Sequence, residues 1–93
     1  MSEILWSQDQ AVALECAHEV ISDLIAIRMQ EIYATEDKFS PNAHQLAALR
    51  EQITRLWDER ADLKVTDDAA VAAVRANYGQ QVRAHRANAQ QAA

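Results

Sequence analysis

Residues 40–63 read SPNAHQLAALREQITRLWDERADL, and this stretch decides the fold. Serine followed by proline restarts a helix, because the hydroxyl can cap the first turn and proline at the first helical position lacks only an amide that would go unpaired there. Beyond it the large apolar residues fall at Leu46, Leu49, Ile53, Leu56 and Leu63, with Arg60 in the one missing place, so the spacing alternates between three and four. That alternation is a heptad seam, the pattern with which one helix packs along another. It predicts helix 2 over about 41–64.

Upstream, Ser7-Gln8-Asp9-Gln10 has the form of a capping box, with Trp6 placed to staple onto Ala11. Helix 1 is expected over about 8–34. From Val12 to Tyr33 its apolar residues cover about half of the circumference, enough for two neighbours, and Glu15, His18, Glu19, Ser22, Asp23 and Gln30 gather on the rest. The heptad spacing recurs at Leu14, Ala17, Ile21, Leu24, Arg28 and Glu31. Two such helices joined by a connection of about six residues favour antiparallel packing. The Ser40 turn sets a register in which Glu31 lies near Leu46, within reach of Arg50, and Arg60 lies near Ala17.

Downstream, Thr66 is read as the next cap, with Asp67 and Asp68 meeting the positive end of a helix dipole. Helix 3 is expected over about 67–86, with a thin stripe of Val71, Val74, Tyr78 and Val82, and residues 87–93 as a frayed tail. The resulting architecture is all-α: an antiparallel helical hairpin plus a third Ala-rich helix, one domain over residues 1–93. It forms a three-helix bundle with room for a second copy to complete it.

Composition supports that reading. Nineteen of the 93 residues are alanine, so an apolar fraction of 49% overstates the volume available to a core. A single glycine and a single proline leave little for the tight turns of a sheet protein. No long apolar run and no Lys/Arg-led leader is apparent, so the expected location is cytoplasmic, with no membrane partner. One cysteine, Cys16, allows neither an intrachain disulfide nor a cysteine zinc cage. The charge of −5 is uneven: all fourteen acids lie in residues 1–68, and Arg75, Arg83 and Arg86 follow without an acid. So acidic a chain argues against general phosphate binding.

Several groupings invite a chemical reading. Glu15-x-x-His18, with Glu19 beside it, has the spacing of a carboxylate–imidazole metal pair in helical bundles. These side chains fall on the polar side, and helix 2 has no matching pair, so a solvated face is the favoured reading. Cys16 and His18 are two apart and point in different directions on a helix, so they form no catalytic couple. No glycine-rich loop is present to cradle a phosphate. Arg75, Arg83 and Arg86 are candidate nucleic-acid contacts, and with His85 they more simply complement a helix C-terminus, whereas His44 belongs to the polar side of helix 2. A helix-turn-helix is disfavoured because the would-be recognition helix opens with two aspartates.

Charges inside the seams are more informative. Arg28 and Glu31 interrupt the apolar face of helix 1, and Arg60 that of helix 2, so each must pair, snorkel or face a partner. Leu24, Arg28, Glu31, Ile53, Trp57 and Arg60 are therefore the expected association residues, with Trp57 and Arg60 foremost. The sequence reading is a non-enzymatic protein–protein interaction module without a cofactor, self-associating as a homodimer through the broad face of helix 1 or binding another protein. The alternatives are a metal-binding assembly through Glu15 and His18, and a nucleic-acid regulator through the basic C-terminal helix.

Overall fold

A computed structural model describes residues 5–92 of the chain. They form three helices, α1 (Gln8–Glu36), α2 (Ala43–Asp62) and α3 (Asp68–Ala92), with no strand among the described residues. The chain is all-α, as its periodicity predicts.

Each helix starts on a side-chain cap. At α1 the capping box forms as expected: the Ser7 amide donates to Gln10 Oε1 at 2.8 Å, and the Gln10 amide donates to Ser7 Oγ at 3.0 Å. Trp6, expected to staple onto Ala11, remains exposed. At α2 the cap is Asn42 rather than Ser40, with Asn42 Oδ1 accepting from the Gln45 amide at 3.1 Å. Asparagine caps as well as serine, so Pro41 precedes the helix instead of opening it. At α3 the cap is Asp67 rather than Thr66. Its carboxylate accepts from the Ala70 amide at 3.1 Å and adds a charge favoured by the dipole.

Residues 87–92, expected to fray, continue α3 to Ala92. Alanine and glutamine are good helix formers, and nothing in this segment breaks the helix. Arg83, His85 and Arg86 consequently lie before the last turn, which carries no base. They do not complement the C-terminal dipole.

Cross-helix contacts give the directions. Arg60 Nε donates to Ser22 Oγ at 3.1 Å, and Arg50 approaches Glu36 at 3.9 Å, so α2 runs back along α1. Gln10 bonds Asp68, Arg28 bonds Gln81, and Arg86 pairs with Asp23, so α3 runs in the same direction as α1. The register differs from the one expected. Glu31 pairs with Arg28 rather than Arg50, and Arg60 meets Ser22 rather than a space over Ala17. The cause is the turn: α1 extends to Glu36 and α2 waits until Ala43, which slides α2 towards the C-terminus of α1.

The core sits where the three helices meet. Ile21, Leu24, Ile25 and Ile27 of α1 join Leu56 of α2 and Val82 of α3, with Val20, Ile53, Leu63, Val74 and Tyr78 packed around them. Ile21 and Ala17 are fully buried. The wide apolar face of α1, assigned above to a shared dimer core, is thus divided between α2 and α3 of the same chain. The link between α2 and α3 is polar, Tyr78 Oη donating to Glu59 Oε2 at 2.6 Å. No helix among the described residues is long and apolar enough to cross a membrane.

Candidate functional site

Two polar contacts between α1 and α2 delimit the surface of interest. Ser22, Met29 and Glu36 recur every seven residues and Tyr33 stands four beyond Met29, so they share one face of α1. Arg50, Ile53, Trp57 and Arg60 likewise share one face of α2. Because Ser22 bonds Arg60 and Glu36 meets Arg50, the two faces border the same seam, on its solvent side. Between the polar pairs lie Met29, Tyr33 and Trp57, exposed by 37%, 59% and 52%, with Ile53 half-buried beneath. The Arg60 guanidinium carbon lies 5.9 Å from the centre of the Trp57 ring, within cation–π range. An apolar strip with a charged group at each end results.

The expected association residues separate into two groups. Ile53, Trp57 and Arg60 come together on this strip. Leu24 is 2% exposed and lies in the core, away from the strip. Arg28 donates to Glu31 at 2.7 Å and to Gln81 of α3 at 3.3 Å, so this charged pair joins α1 to α3 on the other side of the molecule. Met29 and Tyr33 escaped the sequence reading because a face half apolar gives no sign of which edge neighbours will cover. Their seven-residue relation to Ser22 becomes informative only once Arg60 is known to meet that serine.

The remaining candidates are dispersed. Glu15 and Glu19 are exposed, and His18 is half-buried, with a covered Nε2 that has no hydrogen-bond partner. Among the described residues no group of three His, Cys, Asp or Glu side chains is placed to hold a metal. Cys16 is half-buried and free. Arg86 is engaged by Asp23 at 3.3 Å, and His44 is exposed. Gln81 and Tyr78, neither read as functional, prove to be tethers for α3. Burial, then the Glu59 hydrogen bond and the Glu59 charge, push the Tyr78 phenol up to about 12. All three oppose forming a phenolate beside a carboxylate.

What the arrangement offers is an apolar, aromatic surface with charged ends. Compared with known proteins, the chain matches no family model, no curated protein and no solved structure.

Proposed function

We propose that this protein is a non-enzymatic interaction module that acts as a homodimer, with the Met29–Tyr33–Trp57 strip as the self-association surface. The observation that carries the reading is the exposure of these three large side chains side by side, with Arg60 stacked on Trp57. Tryptophan, tyrosine, methionine and arginine are the types enriched at protein interfaces, and a single exposed one would mean little. Charge also suits a two-fold arrangement. When two strips meet in opposite directions, their apolar centres coincide and Arg60 of one copy approaches the Glu36 end of the other. Glu36, held by its own Arg50 only at 3.9 Å, can accept that second cation.

In this reading the three-helix bundle is completed on its aromatic side by a second copy rather than through the buried face of α1. Sedimentation of the whole chain at micromolar concentration tests it. A dimer is expected, and Trp57→Ala combined with Tyr33→Ala is expected to give a folded monomer. A wild-type chain that sediments as a monomer overturns the proposal.

A further inference from the structure

Phe39, in the turn between α1 and α2, is fully exposed, more so than any other large apolar side chain among the described residues. A turn has no need of phenylalanine, and leaving such a ring in water forgoes a favourable burial. Its neighbour Lys38 is exposed as well, and so are Glu15 and Glu19 towards the other end of α1. Among the described residues none of these three charges forms an ion pair.

All four residues fall into register with the aromatic strip. Glu15 continues the row of Ser22, Met29 and Glu36 at the same seven-residue spacing, and Glu19 stands one turn from it. The α1 side of the strip therefore runs on past Ser22 into two carboxylates. When two strips meet in opposite directions about an axis at Met29, midway between Ser22 and Glu36, Glu36 of one copy lies over Ser22 of the other. Past Ser22, Glu19 and Glu15 follow at about 4.5 and 10 Å along the axis. Past Glu36 the turn carries Lys38 and Phe39, and three residues reach at most about 10 Å. The turn of one copy thus ends over the two carboxylates of the other.

We propose that the α1–α2 turn is an arm of the homodimer, each copy laying Lys38 and Phe39 on the Glu15, His18 and Glu19 face of the second copy. The inference rests on the strip as the self-association surface and extends it at both ends. The order of charges selects a second copy as the occupant. Outward from the strip the turn presents acid and then base, Glu36 and Asp37 followed by Lys38. The surface it meets presents base and then acid, Arg60 followed by Glu19 and Glu15. A copy docked in the same direction would set like charges against each other, which is unfavourable. In the opposed arrangement Lys38 pairs with Glu19, and Phe39 covers the half-buried His18 ring and the apolar stems of both glutamates. The two-fold axis makes each contact twice.

The test is the dimer dissociation constant of the full chain, from sedimentation equilibrium. Lys38→Glu and Glu19→Lys should each weaken the dimer about tenfold, the size of two exposed ion pairs lost and reversed. Phe39→Ser should weaken it at least as much, since two rings lose their cover. Lys38→Glu and Glu19→Lys in one chain should return the constant towards wild type, because the pair forms again with its signs exchanged. Within one copy the two residues stand about 25 Å apart along α1, so only a contact between copies can restore it. At a dilution where the chain is monomeric, Phe39→Ser should melt as wild type does, and a lower Tm would place the ring against its own chain and overturn the inference. Losses in the single variants that the double variant does not restore overturn it too. A dimer dissolved by Trp57→Ala with Tyr33→Ala but indifferent to Phe39→Ser and Lys38→Glu overturns the arm alone, whereas a monomeric wild type overturns strip and arm together.

Discussion

Ile21 and Trp57 are both large and apolar, and they are expected to answer truncation in opposite ways. Ile21 has no exposed surface and lies where all three helices meet, so Ile21→Ala leaves a cavity that its neighbours only partly fill. About 2–5 kcal/mol should be lost, a large share of what a small domain possesses, and denaturant titration would register it as a lower midpoint. Trp57 is 52% exposed, so Trp57→Ala should cost the folded monomer only about 1 kcal/mol while removing about 2 kcal/mol or more from self-association. Equal losses in the two measurements would mean that Trp57 is a packing residue. Tyr78 makes a third residue-level case, through pH. With its phenol near 12 in the folded chain and about 10 in the unfolded one, the unfolded state releases its proton first as pH rises. The stability tied to the neutral phenol is complete below pH 10 and declines between about 10 and 12. Tyr78→Phe cannot titrate, so its unfolding free energy should fall less steeply across that interval. Parallel slopes for wild type and variant would contradict the burial and Glu59 contact that raise the phenol.

Among the elements, α2 shows how far the sequence could be read. Its heptad row locates the buried side with good fidelity: Leu49 and Leu56 are buried, and Leu46, Ile53, Arg60 and Leu63 are half-buried. Its start was misread because Ser40 and Asn42 are both competent caps, and propensity does not choose between them. The choice depends on where the connection from α1 arrives, which the apolar pattern does not encode. Together with the extension of α1 to Glu36, that difference lengthened the path before the two helices pack, and since register follows turn position it moved Arg60 from Ala17 to Ser22. The error matters for the candidate surface, because Met29 and Tyr33 are found only by the true register. α3 was legible in its stripe, with Val71 and Val82 buried, but too thin a stripe says nothing about which helix receives it. The cap assignment has a direct check. Asn42→Ala should destabilise the chain by about 1 kcal/mol, whereas Ser40→Ala should be close to neutral. Thermal unfolding of the two variants side by side decides between the caps, and a larger loss at Ser40 would restore the earlier helix start.

At the scale of the whole molecule, shape returns the question to association. The chain measures 61 × 28 × 19 Å with a radius of gyration of 16.3 Å, against about 12 Å for a compact domain of this length. Its accessible surface is 6870 Å², where a compact monomer of this mass would show about 5,400 Å². The surplus is of the order of a standard protein interface, and it is what three long helices leave when α2 and α3 both lean on α1 and join each other through Tyr78 and Glu59. A slab of this kind has little interior per residue, so covering one face contributes a correspondingly large share of its stability. Mass action then links folding to concentration, because a dimer that dissociates on unfolding is favoured as protein is added. Each tenfold increase in concentration should raise Tm by a few degrees, since about 1 kcal/mol moves Tm by ~4–8 °C in a domain of this size. The Trp57→Ala, Tyr33→Ala chain should melt at one temperature throughout the same series. Scanning calorimetry over a wide dilution range measures both, and a wild-type Tm that stays constant would leave the aromatic strip as the bare surface of a monomer.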